Sequence, residues 1–265
     1  MSNDALDALD ALFSENLHIH TNLSRCGGRD STLTAVVRQA EKLGLRRIAV
    51  TDHIHPYETP KLFHNLPLLR RELAALDTDV EVLLGAELSA YGVHKYTLQY
   101  ANAAPKLDFY MYAHNHYHMR GWEQPEDQSA EGYKRHCLQV LKTVIRSGKA
   151  DALAHPFADK YIVREFEDVL PFTKGCITDL FTDNEIGDLM ELGKDRGVMW
   201  ELNTTLFADY AGFLRRYYRT GQEVGARFFV GSDAHRPEAM DLTQAKKYFK
   251  ENIFFQMRSE RNADG

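Results

Sequence analysis

Cysteine is scarce in this chain: 265 residues hold three, Cys26, Cys137 and Cys176, with no paired spacing. That argues against a disulfide scaffold and predicts a reducing compartment. Long apolar runs are missing too, and none approaches the roughly 20 residues that cross a bilayer. The opening stretch, Met1 to Leu12, is acidic and has no basic segment ahead of an apolar one, so no secretory leader is expected and a cytoplasmic location is. Basic residues are in slight deficit, 32 Lys and Arg against 38 Asp and Glu, for a net charge of -6. Gripping long nucleic acid takes a basic face that neutralises many phosphates, and this balance weighs against one. Low-complexity linkers and composition breaks do not occur. The expectation is one soluble domain over residues 1–265, its core at about 16–250 between short polar termini.

What the chain does have is histidine and carboxylate at the ends of apolar runs. Asn16-Leu17-His18-Ile19-His20-Thr21 reads as a short buried strand whose alternation sends two imidazoles to one side of a sheet. The same grammar returns. Predicted strands at Arg47 to Thr51, Val80 to Leu84 and Leu107 to Ala113 lead into Asp52-His53, Gly85-Ala86-Glu87 and His114-Asn115-His116-Tyr117-His118. Ala150 to Ala154 ends at His155-Pro156, Val198 to Asn203 is a further strand, and Arg227 to Gly231 ends at Ser232-Asp233-Ala234-His235.

Helical patterns separate these runs. Ser31 is a predicted cap for a helix with Ala35, Val36, Ala40 and Leu43 on one face, stopped by Gly44. Residues 61–76 are helical in pattern but include Pro67, which predicts a break or kink. Helices are also expected over 131–147, 183–196, 207–224 and 242–250, while residues 91–100 fit a strand pair or an extended loop. Seven strands alternating with helices predict parallel pairing through crossovers, as an open sheet or a closed barrel. Only a barrel brings all strand ends to one mouth.

The ends carry His18, His20, His53, Glu87, His114 or His116, His155, Asp233 and His235. Mixed imidazole and carboxylate suits Zn, Mn or Fe better than Ca or Mg. One tetrahedral ion takes about four ligands, so this surplus implies two or three divalent ions. Clustered ions can share a bridging hydroxide and hold the oxygens of a phosphoryl group under in-line attack. Asp52, beside His53, is expected to fix an imidazole tautomer.

His18-Ile19-His20-Thr21, Thr51-Asp52-His53, Gly85-Ala86-Glu87, Ala154-His155-Pro156 and Ser232-Asp233-Ala234-His235 resemble, in order, the motifs of the PHP family, named for polymerase and histidinol phosphatase. The resemblance spans about residues 16–236 and implies a distorted (β/α)7, TIM-like barrel with a trinuclear metal cluster at its mouth. Carried onto this chain, His18, His20, Glu87 and Asp233 would hold one ion. Glu87 would bridge to a second, held by His155 and by His114 or His116, with His114 the first choice because it directly follows the apolar run. His53 and His235 would serve the third. Where many members have another His, this chain has Cys26 in Leu23-Ser24-Arg25-Cys26, matching a Leu-Ser-x-Cys subset. Two readings of Cys26 stay open: a thiolate ligand favouring Zn, or a buried structural thiol.

The expected activity is metal-dependent hydrolysis of a small phosphate ester, histidinol-phosphatase-like, with a metal-bridging hydroxide as nucleophile and Asp233 or His53 passing a proton to the leaving alkoxide. Arg25 and Arg236 are candidate phosphate contacts, and Asn203 a candidate substrate contact; Glu201 reads equally as structural. His55, His64, His94, His118 and His136 are expected to be ordinary surface or core residues. The alternatives are amide or lactone hydrolysis by the same metals, and a non-catalytic metal-bearing accessory domain.

Overall fold

Short apolar strands separated by one-faced helices cannot pair as hairpins; the helix between them forces a crossover and a parallel neighbour. The computed structural model describes residues 3–100, 106–163 and 174–256 and follows this rule. The first half comprises α1 (Asn3–Leu12), β1 (Glu15–Ile19), α2 (Leu33–Leu43), β2 (Arg47–Val50), β3 (His53–Ile54), α3 (Thr59–Ala74), β4 (Glu81–Gly92), β5 (Lys95–Tyr96) and β6 (Phe109–Ala113). There follow α4 (Ala130–Ser147), β7 (Ala152–Leu153), α5 (Lys160–Val163), α6 (Cys176–Leu180), α7 (Asp183–Lys194), β8 (Met199–Asn203), α8 (Ala211–Val224), β9 (Arg227–Gly231) and α9 (Thr243–Phe249).

The sheet order is β1-β2-β4-β6-β7-β8-β9, every step parallel, with β3 and β5 also pairing with β4. Closure from β9 to β1 is made by one parallel bridge, Ile19 with Ala234, and by the His20 N–H donating to the Ala234 carbonyl at 2.8 Å. Asn16 supplies a further rung with its side chain. Its Nδ2 donates to Ser232 Oγ at 2.8 Å and its Oδ1 accepts from the Ser232 N–H at 3.0 Å. The outcome is a nearly closed, TIM-like α/β barrel ringed by helices, in one domain. Leu17, Ala49, Phe109, Met111, Ala113, Ala152, Ala154 and Phe229 fill its interior. A second, larger core that includes Val36, Ile48, Leu84, Leu141 and Trp200 lies between strands and helices. Among the described residues no helix is long and apolar enough to cross a membrane.

Local chemistry shifts several boundaries. The cap of α2 is Thr32, whose hydroxyl accepts from the Ala35 N–H; Ser31 instead donates to the His20 carbonyl at 2.9 Å and anchors the opening motif. α3 continues past Pro67 to Ala74, so the proline does not end it. The 91–100 stretch is a strand pair, the end of β4 with β5. The expected helix over 207–224 begins only at Ala211. α1 was not foreseen: Leu9 and Phe13 are buried, and the Phe13 ring lies 5.6 Å from that of Phe249.

Candidate metal centre

β1 delivers its imidazoles through an irregularity. Its pairing with β2 slips between Asn16 and Ile19. Leu17 packs in the barrel interior, yet His18 also turns inward, to Glu201 on one side and Glu87 on the other. Strict alternation would have put these neighbours on opposite faces; a bulge re-aims one of them. His20 lies just past the strand, and its Nε2 comes within 3.1 Å of His18 Nε2.

Glu87 stands at the centre, 2 % exposed, on the stretch of β4 that pairs with both β3 and β6. Its Oε2 lies 2.7 Å from His53 Nδ1, 3.5 Å from His18 Nε2 and 3.6 Å from His20 Nε2. Its Oε1 lies 3.2 Å from His155 Nε2 and 3.9 Å from His116 Nε2. Asp233 Oδ1 is 3.1 Å from His20 Nε2 and 3.5 Å from His18 Nε2. The His20 ring stacks against those of His53 and His235, 4.4 Å from each, and those two lie 6.2 Å apart. Two of these residues sit in left-handed backbone, His155 at φ 32 and Asp233 at φ 52. Such conformations persist where surrounding structure imposes them and cluster at functional sites.

Ser24 sets the tautomer of His20. Its hydroxyl donates to Asp52 Oδ1 at 2.7 Å, which leaves the oxygen to accept from the His53 backbone N–H at 3.1 Å and from His20 Nδ1 at 3.3 Å. Asp52 also takes the Thr21 N–H and hydroxyl, both at 2.7 Å. It therefore ties down the loop before Cys26 and, through Ser24, bears on the tautomer of His20.

The charges follow from this packing. Burial opposes ionisation of Glu87 and Asp233, but the charge of His53 beside Glu87 and of His18 beside Asp233 outweighs it and holds both carboxyls well below the usual range. Burial also disfavours the imidazolium of His18 and His53; Glu201 and Asp233 reverse this for His18, and Glu87 and Cys26 for His53, so both are raised. His20 is lowered to about 3 by burial and by the charge on His53.

These residues fit divalent ions. Four overlapping groups, His20-His53-His235, His18-His155-Asp233, His18-His20-Glu87 and His53-Glu87-His116, each have their ligand atoms within 4.8 Å of one another. Both Glu87 oxygens are buried amid imidazole nitrogens yet make no hydrogen bond among the described residues. A buried carboxylate in that state is costly unless positive charge, on His53 or on a bound ion, balances it. Neutral imidazole with carboxylate is a donor set for borderline transition ions.

Not every expected residue joins. His116, rather than the favoured His114, reaches Glu87: Ala113 faces the barrel interior, so its successor His114 turns away, and its Nδ1 finds no hydrogen bond among the described residues. Cys26 falls in none of the four groups; it is exposed at the mouth, and although burial raises its thiol, hydrogen bonds to His235 and His53 lower it to about 6. The mouth encloses about 390 Å³ between Arg25, Cys26, His53, His55, Glu58, His116, His118, Met119, His155, Asp233 and His235. Arg25 is thus at the rim. Arg236 is exposed and outside this lining, and Asn203 bonds Glu201 and Thr205 below it. His55 and His118, expected to be ordinary, line the mouth. Asn115 went unnoticed in the sequence; its amide donates to the carbonyls of His155 and Ala158 and holds their loop. A buried Asn within a His-rich segment was the available signal.

Among solved structures, the fold is similar to that of histidinol phosphate phosphatase from Lactococcus lactis subsp. lactis Il1403, complexed with zinc, L-histidinol and phosphate. The TM-score is 0.57 at 18% identity, over 90% of this chain and 93% of that one. A Listeria monocytogenes protein assigned as a histidinol phosphatase gives a TM-score of 0.57 at 16% identity, over 85% of this chain and 96% of that one. At such identities the likeness concerns the fold. No curated protein matches the sequence. The model of the PHP domain matches residues 16–205, a span that carries the site from His18 to Asn203, while Asp233 and His235 reach the cluster through barrel closure; the chain belongs to the PHP family.

Proposed function

We propose that this protein is a metal-dependent hydrolase of phosphate esters with a small phosphorylated substrate. The observation that carries the reading is Glu87, whose two oxygens face different sets of imidazoles, His18, His20 and His53 on one side and His116 and His155 on the other. That suits a carboxylate shared between neighbouring ions. His18, His20, Glu87 and Asp233 would hold one ion, Glu87, His116 and His155 a second, and His53 with His235 a third, Cys26 standing beside it. Zn, Mn or Fe bound there would acidify water and offset phosphoryl charge.

The side chains do the rest. Arg25 at the rim pairs with phosphoryl oxygens. As water adds to phosphorus, the bond to the alcohol oxygen breaks, and Asp233 or His53 passes the proton that oxygen needs. A mouth of about 390 Å³ admits a small ester. L-Histidinol phosphate is the first substrate to test, because the Lactococcus structure is complexed with L-histidinol and phosphate. The experiment is metal analysis of purified protein, then a panel of phosphomonoesters, phosphodiesters and amides with the Zn, Mn and Fe forms. Release of phosphate from a monoester is expected; inactivity of all three forms, or turnover of amides alone, overturns the proposal.

A further inference from the structure

Glu201 is a carboxylate, 2 % exposed, that the reaction above leaves without a task. It lies on β8, and three donors converge on it. His18 Nδ1 is 2.7 Å from its Oε1, Asn203 Nδ2 donates to the same oxygen at 3.2 Å, and the His155 backbone N–H donates to Oε2. Asn203 is itself oriented, since its Oδ1 accepts from the N–H and hydroxyl of Thr205 at 3.0 and 2.6 Å. Space is reserved as well: a Cβ on Gly231, in the neighbouring strand β9, would overlap Glu201 Oε1 and come within 2.7 Å of His18 Cβ.

From this geometry we infer that Glu201 is a positioning residue that keeps a proton on His18 Nδ1 and thereby turns the Nε2 lone pair of His18 into the cluster. The inference rests on the metal-centre reading given above. Nε2 of His18 then faces His20 Nε2 at 3.1 Å, with Glu87 Oε2 and Asp233 Oδ1 each at 3.5 Å. Because Ser24 holds His20 with its proton on Nδ1, the His20 Nε2 lone pair points at His18 Nε2 across 3.1 Å, and an ion that takes the place of a proton on His18 Nε2 lies between two lone pairs. The same carboxylate fixes His155 through its main chain at φ 32, so one side chain sets two members of the cluster. Only an acceptor without protons serves all three donors. Glutamine of the same length must turn its NH2 either on the His155 N–H, displacing the main chain that sets that ligand, or on His18 and Asn203 together, in which case the His18 imidazole takes the other tautomer and loses its inward lone pair.

The test compares the full-length protein with E201Q. Zinc affinity is measured by competition against a chromogenic chelator, and the proton on His18 is located by imidazole nitrogen NMR of the zinc-loaded parent. The parent is expected to carry the proton on Nδ1 and zinc on Nε2, and E201Q to bind zinc ~10–100-fold more weakly, the range seen when a partner of a metal-bound His is lost. Equal zinc affinity in a folded E201Q overturns the inference while leaving the metal-centre reading intact. A parent that takes up no zinc overturns both. If circular dichroism shows E201Q unfolded, the parent spectrum decides: a His18 proton on Nε2 rules the inference out, and one on Nδ1 supports it.

Discussion

One residue, Asn115, separates His114 from His116, and the two histidines answer to different surroundings. His114 turns from the barrel interior, and burial, then the charges of His155 and His136, lower it to about 3 from an ordinary 6.5. The fold thus keeps it neutral where an unfolded chain would protonate it. With the folded value depressed, the stability linked to this group is present above pH 6.5 and lost as pH falls toward 3. Between pH 6.5 and 5 that loss is at most about 2 kcal/mol, at 1.36 kcal/mol per pH unit. H114Q removes the group, so urea unfolding in the presence of a chelator is expected to show a smaller drop over that interval than the parent does. Equal slopes would contradict the assignment.

Cysteine gives a parallel contrast. Cys137 is 1 % exposed and burial pushes its thiol up to about 12, whereas Cys26 is exposed and held at about 6 by His235 and His53. Thiolate is the nucleophile. Iodoacetamide at pH 7 is expected to label Cys26 and spare Cys137 in the folded, chelator-treated protein, read by peptide mass spectrometry. If Cys26 ligates, zinc will protect it; labelling at the same rate with zinc bound would assign it to the wall of the mouth.

At the scale of elements, strand ends were legible because each apolar run stops at a ligand-type residue: His18, Asp52-His53, Glu87, His155 and Asp233 all stand out by position. Local periodicity carries that signal. The face a residue takes is less visible, since the β1 slip that turns His18 inward and the exit from β6 that separates His116 from His114 depend on pairing register. Partners far along the chain are invisible altogether; Glu201 meets His18 across 183 positions, and nothing near either residue announces it. Asn16 is another such case. It substitutes for a ladder rung between β1 and β9, and N16A would strand the buried Ser232 N–H and the Met240 carbonyl. A loss of roughly 2–4 kcal/mol is expected, since each buried group left unsatisfied costs about 1–3 kcal/mol. Denaturant unfolding measures it, and a change under 1 kcal/mol, taken as about the size of one ordinary hydrogen bond, would show that closure does not depend on this amide.

The whole molecule is a ring whose weakest seam lies where its ends meet. Among the described residues β1 and the end of β9 share one backbone bridge plus the Asn16 rung, and the cluster reaches across that seam, with His18 and His20 from one side and Asp233 and His235 from the other. Any ion held jointly by His18 and Asp233 therefore staples the ring shut and binds the native state only. By mass action such an ion stabilises by about 2.7 kcal/mol when present at 100 times its dissociation constant. For a chain of this length that corresponds to a shift of several degrees in Tm, at roughly 2–4 °C per kcal/mol. Thermal unfolding of chelator-treated protein is expected to rise with added zinc in proportion to the logarithm of its concentration, and H18A or D233N, each removing one side of the staple, is expected to flatten that dependence. N16A should steepen the need for metal, since the seam then loses its side-chain rung and keeps the Ile19–Ala234 bridge, the Ser232 hydroxyl on the His18 carbonyl and the ions; a Tm indifferent to zinc in the parent would mean that the cluster does not span the seam.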